Sequence, residues 1–352
     1  MAARFSPIRF FWNISRHSAT RNGLNGVGHP TQLLTVLPVL ALLATVWANA
    51  AHGQTVYTII TPAPVDRIIA TNKGAFIQSG GKAFAVVTCD ADARICLKPS
   101  NLAPSQYPAP VGALPDGRVA ISDSGDIRQA WFARPTTRYT HGVLGDAIEA
   151  ESLVVVTASG TTLEAVLPDD QVFEDITPRI ADLDGDGTNE VIAIRSSTSA
   201  GAGVAIYGLI ENQLAQRGAG SENGRPNRWL NIAGLIPRAD GGLTLYGVRT
   251  PHIGGRLFSL DFRDGQFIEN NDIATDVSNH IIGSRELGMS ATGQFGHQIE
   301  LVLPSQNRRR LRFPLTGRAD IALPASIDKA IVLVDGRVVT ATTEGTLIVV
   351  SP

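Results

Sequence analysis

Cysteine and charge are both scarce in this chain. It has two cysteines in 352 residues, and 18% of its side chains are charged. Cys89 and Cys96 lack the C-x-x-C spacing and are too few to build a thiolate zinc or redox site. The low charge, together with 35 glycines and 20 prolines, argues against a helical bundle or a coiled coil. Helical periodicity is almost absent beyond residue 55. No G-x-S-x-G elbow, Walker A loop, dinucleotide fingerprint or H-E-x-x-H pattern occurs, so no catalytic residue is assigned. A formal net charge of −2 favours neither nucleic acid nor a strongly cationic partner.

Acidic residues are missing before Asp66. Arg4, Arg9, Arg16 and Arg21 precede an uncharged stretch whose apolar centre runs from Leu33 to Trp47, followed by Ala48-Asn49-Ala50. A basic start, a short apolar run and a small-residue site form a secretory signal peptide. Residues 1–53 therefore read as a leader with an extended basic region, and 54–352 as one domain. The apolar run is short for a membrane span and contains Pro38, so no stable span is expected after cleavage. An uncleaved anchor is the alternative. The expected location is periplasmic or secreted. Losing the four leader arginines leaves 26 basic residues against 32 acidic ones, a net charge near −6. In an oxidising compartment Cys89 and Cys96 can form a disulfide across the hairpin TCDADARICL, with a free pair as the alternative.

What fills the rest of the chain is short runs of branched residues, among them VYTII, AFAVV, LVVVT, EVIAI, IELVL and TLIVV. Turn signals separate them, including Asp-Gly at 116–117, 264–265 and 335–336. The count is roughly 25 to 28 strands, an all-β fold. The segment Ala181–Ile194 (ADLDGDGTNEVIAI) recurs in weaker form at Ala291–Leu303 (ATGQFGHQIELVL), and more faintly from Ala239. Copies at that spacing suit four-stranded blades of a β-propeller, seven by strand count or six by copy spacing, with seven chosen. A pair of β-sandwiches is the alternative. The last three strands lack a fourth, and the strand near Val56–Ile60 is expected to close that blade.

The most specific signal is Asp182-Leu183-Asp184-Gly185-Asp186-Gly187-Thr188-Asn189-Glu190. Carboxylates at loop positions 1, 3, 5 and 9, with the Thr188 carbonyl, supply the hard oxygens that Ca2+ requires. An EF-hand needs a glutamate at position 12, but that position is Ala193 in a strand-like run. One structural calcium between two strands is expected, with Leu183 pointing inward. A metal-free polar hairpin is the alternative.

DLDGDGTNE followed by a hydrophobic strand resembles the FG-GAP/VCBS repeat, the integrin-α-type calcium blade of β-propellers. Further matching pieces are LPDGRVA (114–120), HGVLGDAIEA (141–150), LPDDQVFEDITPRIADLDGDG (167–187), TPHIGG (250–255) and SNHIIGSRELG (278–288). The resemblance covers about residues 108–352 and points to secreted bacterial repeat proteins of uncharacterised function. It implies a propeller and calcium, and no reaction. The copies near Asp240 and Gln294 have lost most of the acids.

His252, His280, Arg285 and Glu286 lie between repeats and could converge on one ligand-binding face. Inter-blade hydrogen bonding is the blander reading. Asp169, Asp170, Glu174 and Asp175 read as a solvated acidic loop, and Arg308, Arg309, Arg310 and Arg312 as a solvated outer strand. The function expected is a calcium-stabilised binding scaffold for an unknown protein or glycan ligand. The alternative is an extracytoplasmic polysaccharide lyase or hydrolase.

Overall fold

A computed structural model describes residues 47–48 (backbone only), 53–71, 74–89, 94–101, 110–263 and 265–352. Most of the expected leader lies outside the described residues, as does Asp264 of one Asp-Gly turn. Of the two compact units, Met1–Leu42 and Leu43–Pro352, the described residues all belong to the second.

The described chain is all-β, with 26 strands and no helix. Three sheets are simple four-stranded antiparallel meanders. They comprise Val65–Thr71 to Ile95–Ser100, Leu230–Pro237 to Gln266–Thr275, and Ala291–Phe295 to Arg318–Ala322. A nine-stranded sheet holds two further sets of four, Ala120–Ile121 to Thr162–Val166 and Gln171–Phe173 to Gln213–Ala219. Its two halves join only where Phe173 faces Ala150. The first strand of the second half is broken, Gln171–Phe173 and Arg179–Ala181 both pairing with Glu190–Ser197. The last sheet consists of Val332–Val334, Arg337–Ala341 and Leu347–Ser351, with Thr55–Ile59 alongside, from Thr55↔Ser351 to Ile59↔Leu347. Trp47–Ala48 adds a short outer rung to Thr55–Val56.

Local chemistry explains the hairpins. At Asp335-Gly336 both residues have positive φ, 45° and 73°, the type I′ geometry that matches the twist of Val332–Val334 and Arg337–Ala341. Asp116-Gly117 instead turns the chain ahead of the short strand Ala120–Ile121. Inner strands such as Glu190–Ser197 and Leu347–Ser351 are buried on both faces because sheets cover both sides, which is why their sequences do not alternate. One continuous core runs from Leu114 and Phe132 through Phe173 and Ile192 to Trp229 and Phe258. Cys89 and Cys96 form a disulfide.

Candidate metal centre

The Asp182–Glu190 loop joins Arg179–Ala181 to Glu190–Ser197. Leu183 is buried in the core, so its neighbours Asp182 and Asp184 are held on the other side of the loop. Gly185 has φ of 81°, and a Cβ there would lie 2.9 Å from the Gly241 carbonyl carbon. Only glycine permits both that conformation and that approach. The Leu243 N–H donates to the Leu183 carbonyl at 2.9 Å, tying this loop to the next sheet.

Oxygens of Asp182, Asp184 and Glu190 lie within 4.8 Å of one another, so these three could hold a metal ion. Asp182 accepts from Gly185 N–H at 2.8 Å and Gly187 N–H at 3.0 Å, which fixes its carboxylate. Glu190 is fully buried, and Oε2 accepts from Leu183 N–H at 2.8 Å. Burial pushes its carboxyl up to about 7. Asp184 Oδ1 is buried and has no hydrogen-bond partner among the described residues. That orphaned acceptor within an all-oxygen donor set fits a hard cation. Asp186 is not among the three, and its Oδ1 accepts from both the N–H and the hydroxyl of Thr188, at 2.8 and 2.6 Å.

Arg217 is the residue the sequence reading missed. It pairs with Oε1 of Glu190, approaches Asp184 at 3.4 Å and lies over the Phe262 ring at 5.0 Å. The weaker repeat copy explains it. Buried Glu300 pairs there with Arg318 at 2.9 Å, and Arg318 lies over Phe295 at 4.9 Å, with no acidic loop beside them. A buried glutamate on the second strand and an arginine on the fourth thus belong to the repeat itself. The aspartates of the 182–186 loop are additions to that pair. Asp240, in the faint copy, is held by Arg238 and Arg263, each at 2.9 Å.

The expected ligand face divides in the structure. Arg285 and Glu286 line a cavity of about 1640 Å³, whereas His252 and His280 do not. His280 Nε2 lies 2.7 Å from the Ser284 carbonyl and must donate to it, so Nδ1 accepts from Nε2 of His252, also at 2.7 Å. Burial lowers the pKa values of His252 and His280 to about 3 and about 4, so both rings are neutral near pH 7. Trp229 stacks on His252 with an interplanar angle of 1°. Arg285 pairs with Asp116 at 2.7 Å and with Asp146.

Glu174 and Asp175 correct the reading of a solvated loop, since both are fully buried. His141 Nδ1 lies 2.5 Å from Glu174 Oε1, and the Ser196 hydroxyl donates to Oε2. Trp229 Nε1 donates to the Glu174 carbonyl at 2.8 Å. Asp175 pairs with Arg179 and accepts from Ile176 N–H at 2.8 Å. Asp169 and Asp170 are exposed, as that reading expects. In the arginine run, Arg310 and Arg312 pair with Asp276 and Asp320, while Arg308 precedes the strand with φ of 58°.

Glu149 is buried beside this network, and its carboxyl makes no hydrogen bond among the described residues. Burial first, and the Glu174 charge second, push its carboxyl up to about 10. The folded state therefore holds a proton that the unfolded chain releases above its ordinary value of 4.5. Stability falls as pH rises from there toward the folded value. Glu149→Gln removes this penalty. It should be more stable than the parent by about 2–3 kcal/mol at pH 7. The two should converge near pH 4.5. Urea unfolding at pH 5 and pH 8 checks this, and a pH-independent difference refutes it.

No protein-family model matches the chain, and no curated protein matches it. Among solved structures, BamB from Moraxella catarrhalis aligns with 88% of this chain and 100% of its own, at 12% identity and a TM-score of 0.25. That overlap is too loose to transfer a fold or a function.

Proposed function

We propose that this protein is an extracytoplasmic β-propeller of six blades, stapled by one calcium ion, that serves as an interaction scaffold. The observation that carries the reading is the succession of four-stranded antiparallel sets, the last completed by Thr55–Ile59. Six such sets favour six blades over the seven chosen from the strand count. The broken strand at 171–173 and 179–181 inflates that count. The resemblance of DLDGDGTNE to FG-GAP/VCBS repeats supports calcium, as does the orphaned Asp184 oxygen. The disulfide supports an oxidising compartment. No helix among the described residues is long and apolar enough to cross a membrane. The scaffold is favoured over the lyase or hydrolase because His252 and His280 are neutral and bonded to each other, with neither lining the cavity.

Thermal melting with calcium and with excess chelator tests the staple. The expected result is a rise of several degrees in calcium, abolished by Asp184→Asn. Unchanged melting overturns it. Incubation with anionic polysaccharides tests the scaffold, which forms no product, and turnover that His252→Ala abolishes would restore the enzyme.

A further inference from the structure

The cavity is bounded by parts of four sheets and by the linker around 284–288. Arg67 reaches it from Val65–Thr71, and Arg118 from the segment after the Asp116-Gly117 turn. Glu286 comes from the linker, and Lys329 from the approach to the last sheet. Residues far apart in sequence are thus brought to one wall.

Many of the arginines are matched to carboxylates, as Arg138, Arg249, Arg263 and Arg310 are. Arg67 and Arg118 have neither an ion pair nor a side-chain hydrogen bond among the described residues. Arg118 is only partly exposed, and its backbone N–H is anchored to the Ile176 carbonyl at 2.8 Å. Burial and the neighbouring charge of Arg67 disfavour its cation, outweighing the favourable charges of Glu286, Asp116 and Asp175. The acids nearby make their direct bonds to other groups, although the charge of Glu286 acts on both arginines. Asp116 is held by Arg285 at 2.7 Å and Asp328 by Lys329 at 2.8 Å. Glu286 accepts from Gly288 N–H at 2.8 Å, and Asp335 from the Thr88 hydroxyl at 2.5 Å. Asp66 is exposed.

Two guanidinium groups without a direct ion pair face one cavity, and the partial desolvation of Arg118 is a cost to the empty fold. An arriving anion removes that cost. Guanidinium forks accept carboxylate and phosphate oxygens in pairs, with a strength and directionality that an ammonium lacks. We propose that Arg67 and Arg118 form the receptor for an oxyanion, a carboxylate or phosphate group carried by a small ligand that enters this cavity. The cavity volume leaves room for the body of such a ligand beyond its charged group. Glu286 and Asp116 beside the receptor disfavour a dense polyanion, so a ligand with one or a few charges is selected.

The site is independent of the calcium loop, so either reading can fail alone. Calorimetric titration of the full protein at low ionic strength tests it, with citrate in one arm and inorganic phosphate in the other. Binding in at least one arm is expected, and the arm that binds names the group. Arg67→Gln and Arg118→Gln should each weaken it about tenfold or more. Arg309→Gln removes the same charge from an exposed residue outside the cavity and should leave affinity unchanged. No binding in either arm, or equal weakening by Arg309→Gln, overturns the proposal. Ligand-free melting adds a second readout. Arg118→Gln should melt at or above the parent temperature, because a partly desolvated cation without a direct ion pair is removed. A clear fall would show that Arg118 holds the fold together, and would also overturn the assignment.

Discussion

Arg217→Met will turn a protein that tolerates chelator into one that needs calcium. The side chain of Glu190 is fully buried, and Arg217 is its only cationic partner among the described residues. Removing one member of a buried pair leaves the other charge uncompensated, at a cost of about 3–5 kcal/mol. Here the loss is aggravated by Asp182 and Asp184 within the same 4.8 Å cluster. Methionine keeps the contact with Phe262, so the change is chiefly electrostatic. Calcium at the Asp182–Asp184–Glu190 trio would replace the missing charge and restore most of the stability. Arg318→Met is the internal control. Glu300 loses the same kind of partner, but no aspartates stand beside it, so calcium should rescue nothing. Urea unfolding of both variants, with millimolar calcium and with chelator, separates these cases. If calcium restores neither, or both equally, the trio is not the metal site.

Glu174→Ala should be the most damaging change outside the loop. It strips the acceptor from His141 and Ser196 together, while the backbone bond from Trp229 remains. His141, Glu174 and Trp229 lie in loops of, or next to, three consecutive four-stranded sets, so this network fastens sheets to one another. Deleting the carboxylate should cost about 3–5 kcal/mol. That is roughly 6–12 °C in melting temperature for a domain of this size. Glu174→Gln preserves one acceptor and should lose less. Glu164→Ala breaks a pair whose side chains are 53% and 32% exposed. It should cost less than about 1 kcal/mol. Equal losses for Glu164→Ala and Glu174→Ala would remove the network from the account of stability.

How much of this could be read in advance depends on how local each feature is. Strands and hairpins are local, so branched runs and Asp335-Gly336 announced them. The Asp182 loop is local too, nine residues that gather three of their own carboxylates. The pair Cys89 and Cys96 needed only a hairpin between them. Arg217 is 27 residues from Glu190, and their meeting depends on the register of the intervening strands. The one available hint was the repeat, which places Arg318 18 residues after Glu300 but on the corresponding fourth strand. Glu174 and Asp175 misled because adjacent acids usually mark a wet loop. The partners that allow their burial, His141, Ser196 and Arg179, cannot be recognised without the sheet order. The broken strand at 171–173 and 179–181 hid the grouping in fours for a similar reason, since two short pieces look like two strands.

The pairing of Thr55–Ile59 with Leu347–Ser351 also bears on how the molecule is made. A ribosome delivers the first of these strands almost three hundred residues before the second. Until then Thr55–Ile59 lacks the strand with which its amides and carbonyls pair in the native sheet. Such an edge invites mispairing with other nascent chains. The native state is therefore reached only after synthesis is nearly finished. A chaperone that shields the first strand during that interval would raise the yield of folded protein without changing its stability.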